Sequence, residues 1–167
     1  METLPRVSHE HHDRLWHIVR QLGSLADCPD ADCLDTSRLR QIRPVVSEIH
    51  HDLTSLLIPH MEAVEAAVHP TLEGLLSDRR AMVPMAREHV EIRRLVAVIG
   101  GFVDHPEAHL ERGTVLALRR ALLRLCALLK AHLAEEEMYL PILEGRLTPE
   151  QAEDLAKALD HMAGVAL

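Results

Sequence analysis

From Leu118 to Leu143 the chain carries a helix-period stripe that changes chemistry along its length. Leu118, Leu122, Leu125 and Leu129 step by four, three and four, and the same seam continues through His132, Glu136, Tyr139 and Leu143. Residues at these intervals share one face of a helix. The face that should be buried therefore switches from leucine to histidine, carboxylate and phenol. A bare carboxylate is costly to bury unless it is paired, hydrogen-bonded or bound to a metal. The rest of the chain has to supply whatever neutralises that end of the helix.

Other stripes repeat the pattern. A first helix is expected from near Pro5–Ser8 to about Ala26, with His12, Leu15, Val19, Leu22 and Ala26 on its face. A second begins near Ser37 and carries Val46, Ile49, Leu53, Leu57, His60, Val64 and Ala67. Pro44 is early enough to be tolerated, Pro59 should kink or break this helix, and Pro70 should end it or bend it again. Ser77-Asp78 reads as the cap region of a third helix over about Ala81–Val103, with Met85, His89, Ile92, Val96, Ile99 and Val103. The fourth covers about Thr114–Glu144. A short fifth follows, with Thr148 as N-cap, Pro149 at N1, Gln151 closing a capping box and Gly164 at the stop. Its stripe is Ala152, Leu155, Leu159 and Met162. The turn-rich segment Asp27–Asp35 and the stretch Asp104–Gly113 are connections.

Four long helices with short connections imply an all-α protein, an antiparallel up-down-up-down four-helix bundle with the short fifth helix added. The 167 residues suffice for a single domain with a core, and 47% are hydrophobic, which excludes a disordered polymer. Trp16, Phe102 and Tyr139 are the only aromatic residues, too few for a base-stacking platform, and a net charge of −8 argues against phosphate binding, so nucleic acid is not an expected partner. No apolar run is long enough to span a membrane and the N-terminus has no signal-peptide core, which makes the cytoplasm the default compartment. Three cysteines, an odd number, do not suggest a disulfide framework. Cys28 and Cys33 share a loop without zinc-site spacing, and Cys126 reads as a small core residue.

Each main helix carries one histidine on its buried stripe: His12 and His89 near helix starts, His60 and His132 near helix ends. Antiparallel packing brings alternating starts and ends to the same level, where these imidazoles would converge with Glu136, one turn beyond His132. Imidazole with carboxylate and no thiolate suits iron or manganese, with zinc open. The plain alternative for any one of them is a hydrogen-bonded core histidine. With thirteen histidines in the chain, chance alignment is the rival for the set. His9, His17, His50, His51, His105, His109 and His161 are assigned to surface or packing, and Glu135 and Glu137 to a solvated face, with Glu137 as an alternative ligand.

These residues resemble the hemerythrin-like, or HHE cation-binding, domain family over roughly Ser8–Leu143. The carriers are Glu10-His11-His12-Asp13-Arg14-Leu15, Ile58-Pro59-His60 through Pro70, Arg87-Glu88-His89-Val90-Glu91-Ile92, and His132 through Pro141. His12 is preferred over His11 because it stands three before Leu15, as His89 stands three before Ile92. The resemblance implies a bundle holding a non-haem iron pair. It also implies a role in binding oxygen, sensing iron or oxygen, or handling nitric oxide or peroxide. One departure is plain: four residues after His60, where the family has glutamate, stands Val64. Glu65 would come round only through the Pro59 kink or a π-type bulge. Tyr139 is another oxygen donor, and His69 is either a replacement ligand or a surface residue. One iron, an altered pair and a vestigial site all stay open.

A protein of this kind would take a small diatomic or peroxide ligand. No separate nucleophile, base and oxyanion assembly is visible, so any enzymatic role would be metal redox chemistry. The rival classes are a metal-free regulatory or partner-binding bundle with a degraded site, and a mononuclear zinc or manganese protein.

Overall fold

The structure is a computed structural model that describes residues 4–26, 36–104 and 112–164, with side chains over 11–25, 41–104 and 113–159. All of the regular structure among these residues is helical. The helices are α1 (Leu4–Ala26), α2 (Thr36–Asp52), α3 (Ile58–Ala63), α4 (His69–Leu76), α5 (Val83–Asp104), α6 (Arg112–Arg146) and α7 (Pro149–Gly164). Two π-helical turns, π1 (Leu53–Leu57) and π2 (Val64–Val68), join α2, α3 and α4 into one uninterrupted rod. The expected loop Asp27–Asp35 with Cys28 and Cys33, residues 105–111 of the second connection, and the side chains of Ala26 and Met162 lie outside the described residues. So do those of His9, His105, His109 and His161.

The rod shows how the chain manages its prolines. Pro59 follows π1 and Pro70 follows π2, each as the second residue of the helical segment that resumes. Proline has no N–H to donate and its ring crowds the preceding turn. A π-turn widens the ladder by one residue just before that point, so the helix continues past both prolines. Pro70 therefore neither ends the helix nor breaks it, and α4 runs on to Leu76. It ends at Ser77, which adopts the left-handed conformation (φ 54°, ψ 31°), with its N–H turned back to the α4 carbonyls. Ser77 is thus the C-cap of α4 rather than the N-cap of the next helix. Asp78 accepts the Arg80 N–H at 2.9 Å in the turn that follows.

The fifth helix starts as its sequence predicts. Gln151 Oε1 accepts from the Thr148 N–H at 2.9 Å, and the Gln151 N–H reaches Thr148 Oγ1 at 3.3 Å, a reciprocal capping box.

Packing divides the interior into two apolar clusters. The larger joins Leu15, Ile18, Val19 and Leu22 of α1 to Val46 and Ile49 of α2, Leu53 and Leu57 of π1, Ile92, Leu95, Val96 and Ile99 of α5, and Leu118, Leu122, Leu125 and Leu129 of α6. Cys126 is buried here as a free thiol whose Sγ lies 3.6 Å from the Val19 carbonyl. α1 and α5 both pack along α6, and α2 packs on α5. The smaller cluster, built from Ala63, Val64, Leu72, Met82, Leu143, Leu155, Ala156 and Leu159, seats α7 against α3, π2 and α1. Between them lies a polar layer. No helix among the described residues is long and apolar enough to cross a membrane.

Candidate metal centre

The buried polar side chains among the described residues are His12, His60, His69, His89, His132 and Glu136. α1 supplies His12, α3 His60, α5 His89 and α6 both His132 and Glu136. Each lies on the apolar stripe of its helix, so the packing that buries the leucines brings these groups together.

Glu136 is the centre of the arrangement. His12 Nε2 and His60 Nε2 each lie 3.0 Å from Glu136 Oε2. His132 Nε2 lies 3.2 Å from the other oxygen, Oε1, and 3.1 Å from His89 Nε2. The donor atoms form two groups, His12–His60–Glu136 and His89–His132–Glu136, within each of which all atoms are within 4.8 Å of one another. Histidine nitrogen and carboxylate oxygen sit about 2.0–2.2 Å from a bound transition metal, so donors to one ion stand about 3–4 Å apart. The two groups fit that spacing and share one carboxylate, with His12 and His60 on Oε2 and His132 beside Oε1. Oε1 is buried and accepts no well-aligned hydrogen bond, although His132 is close. An unpartnered buried carboxylate oxygen facing imidazole nitrogens suits a cation.

The electrostatics follow. Burial alone would push the Glu136 carboxyl up, but the charge of His60, the close approach of His132 and the hydrogen bonds with His12 and His60 hold it well below the ordinary carboxylate range. His89 is pushed down to about 4, chiefly by burial and then by the adjacent His132, against the pull of Glu65. Burial lowers His132 too, but Glu136 and Glu88 outweigh it and its pKa is raised. Of the two facing rings, His132 therefore holds a proton more readily than His89.

A second tier of carboxylates orients the rings. Glu65 Oε1 lies 2.7 Å from His89 Nδ1, and Arg93 forks onto both Glu65 oxygens at 3.0 Å. Glu88 Oε2 lies 3.1 Å from His132 Nδ1. A carboxylate on Nδ1 fixes the tautomer and leaves Nε2 to face the centre, an arrangement common behind metal-ligating histidines.

Not every candidate residue joins the donors. π2 does form at Val64–Val68, yet Glu65 turns to His89 Nδ1 and Arg93 and belongs to neither donor group. Val64 is buried beside His60 instead. Tyr139 is half-buried and lines a cavity of about 40 Å³ that opens on His12, His60 and Glu136 and is otherwise walled mainly by aliphatic side chains, among them Val64, Leu72 and Leu143. His11 lines it as well. Glu137 accepts a hydrogen bond from Trp16 Nε1 at 3.0 Å on the exposed side. His50, expected at the surface or in packing, stands against Gly100, where a Cβ would come within 2.6 Å of its Nε2.

Glu88 and Arg93 were given no role from the sequence. Arg93 stands four residues after His89, on the same helical face, and Glu88 beside it points toward the neighbouring helix. Those offsets were the only signal. Comparison with protein-family models, with curated proteins and with solved structures returns no match to this chain.

Proposed function

We propose that the chain is a hemerythrin-like non-haem iron protein, an antiparallel four-helix bundle that binds or senses O2, nitric oxide or peroxide at a carboxylate-bridged metal pair. The observation that carries this reading is the division of Glu136 between two imidazole pairs, His12 and His60 on Oε2 and His89 and His132 around Oε1. A carboxylate so placed is a natural bridge between two ions. The donors are nitrogen and oxygen with no thiolate, the set preferred by iron and manganese and accepted by zinc.

Bound iron would supply the redox change and the open coordination positions for a small ligand. The chain's own contributions are separate. Glu65, held by Arg93, and Glu88 orient the His89 and His132 rings. Val64, Leu72, Met85, Leu140, Leu143 and Leu159 keep the cavity beside His12 and His60 apolar. The cavity has room for a small molecule next to His12, His60 and Glu136. Leu159 comes from α7, so the fifth helix covers the site.

A second reading is a metal-free regulatory or partner-binding bundle. Val64 favours it, since a buried aliphatic side chain stands where the resemblance implies a second carboxylate. Elemental analysis of protein made in iron-supplemented medium tests both readings, with Glu136→Ala and His132→Ala alongside. About two irons per chain, with visible absorption that responds to O2 or nitric oxide and is lost in both variants, is the expected result. One zinc or manganese per chain would indicate a mononuclear protein. No metal in any sample, with the variants as stable as the parent, would leave the partner-binding reading.

A further inference from the structure

His69 is a buried histidine that neither donor group includes. It is 7% exposed, and its Nε2 is fully enclosed without a hydrogen-bond partner. Buried polar atoms in folded proteins are almost always paired, and one left alone bears its whole desolvation cost. Two such atoms belong to the histidine–carboxylate cluster. The other is Glu136 Oε1, at the centre of the polar layer.

Its position is set by the same turn that places Glu65. The two residues are four apart across π2 and meet His89 from different sides. Glu65 takes the Nδ1 edge, while the His69 ring stacks on the His89 ring at 5.5 Å between centroids and 20° between planes. His69 is also near enough to Glu136 and His132 for their charges to act on it. The half of the centre it adjoins is closed. His89 and His132 are fully buried and do not line the cavity, whereas His12 and His60 do.

We propose that His69 Nε2 is an additional protein ligand for the His89–His132–Glu136 metal position, so that the closed position has four protein donors and the cavity-facing position three. The inference rests on the metal reading above and adds an asymmetry to it. His69 stands outside the set of donors within 4.8 Å of one another, so coordination requires its ring to move toward them. The orphaned Nε2 supplies a reason for it to move, because coordination gives that nitrogen its first partner.

The test compares the full chain with His69→Phe and His60→Gln, each stripped of metal and titrated anaerobically with Co(II) against a competing chelator. Phenylalanine keeps a ring over His89 and removes only the donor. The expected result is two Co(II) per parent chain, with the affinity of one position reduced at least tenfold in His69→Phe and the visible band of that position altered. His60→Gln should weaken the other position and leave that band in place. Thermal melts of the metal-free proteins separate a ligand from a packing residue. A ligand role leaves metal-free His69→Phe at least as stable as the parent, because no partner is lost, while the metal-induced rise in melting temperature shrinks. Unchanged cobalt affinity and spectrum in His69→Phe would overturn the proposal with the metal reading intact. A parent chain that takes up no cobalt would overturn both.

Discussion

At the scale of single residues, Glu136 is the group whose loss should be most visible. It is a buried carboxylate kept ionised by surrounding imidazoles, and it touches both donor groups. Glu136→Gln keeps the shape and removes the charge. We expect metal content to fall to background, measured by elemental analysis, while helicity by circular dichroism is retained. Glu65→Gln acts one step further out. It weakens the ion pair with Arg93 and the hold on His89 Nδ1, and loss of such an outer partner lowers metal affinity about 10–100-fold. Chelator competition measures this, and Arg93→Met should have a smaller effect in the same direction. That His12, His60, His89, His132 and Glu136 would meet was legible because each interrupts an aliphatic stripe at a helical interval. The roles of Glu88 and Arg93 are not legible because they depend on which residue of a neighbouring helix each faces, and periodicity along one helix carries no such information. The direction of Glu65 was equally out of reach. A π-turn is one residue of extra ladder, and the sequence signals only that proline makes one favourable.

At the scale of elements, helix existence and facing were readable and the joints were not. Among the described residues the stripes of α1, α5 and α6 are buried as periodicity demands, save for half-buried Val103 and Tyr139. The sequence predicts a kink or break at Pro59 and an end or further bend at Pro70, and in the rod from Thr36 to Leu76 two π-turns carry the helix past both. Ser77 was misassigned because serine serves as a helix N-cap far more often than as a left-handed C-cap. The start of α7 was read correctly because a capping box is local chemistry. Thr148→Ala removes the acceptor for the Gln151 N–H and should cost about 1 kcal/mol. Since α7 contributes Leu159 to the cavity wall, the same variant should speed quenching of any bound chromophore by small solutes, read by stopped-flow absorbance. A closer contact joins α2 to α5. Gly100→Ala would place a methyl group 2.6 Å from His50 Nε2, so the ring must move. Overpacking of this kind costs about 1–3 kcal/mol. Chemical denaturation should show the loss in Gly100→Ala and its recovery in Gly100→Ala with His50→Ala, which frees the space.

At the scale of the whole molecule, the polar layer makes stability depend on protons, and on the proposed metal reading it makes stability depend on metal as well. In the metal-free protein His89 is depressed from 6.5 to about 4. Its neutral form therefore contributes stability that is present above pH 6.5 and lost as pH falls toward 4. His132 is raised from 6.5, so its contribution is complete below pH 6.5 and disappears as pH rises through its folded value. The two act on opposite flanks, and the metal-free melting temperature should peak near pH 6.5. Glu136, depressed from 4.5, steepens the fall at the acid end once the unfolded carboxyl begins to protonate. Metal changes this profile in a defined way. Binding requires His132 Nε2 without its proton, so it releases protons and strengthens with pH. A ligand confined to the folded state adds RT ln(1 + [L]/Kd), about 2.7 kcal/mol at a hundredfold excess over Kd. With metal present, the fall in melting temperature on the alkaline side should vanish and the acid side should drop more sharply, as protons displace the ion from the imidazoles. Differential scanning calorimetry across pH 4.5–8.5, with chelator and with Fe(II) under argon, reads both profiles on the same protein. Superimposable curves would mean that the imidazoles around Glu136 hold one another and hold no metal.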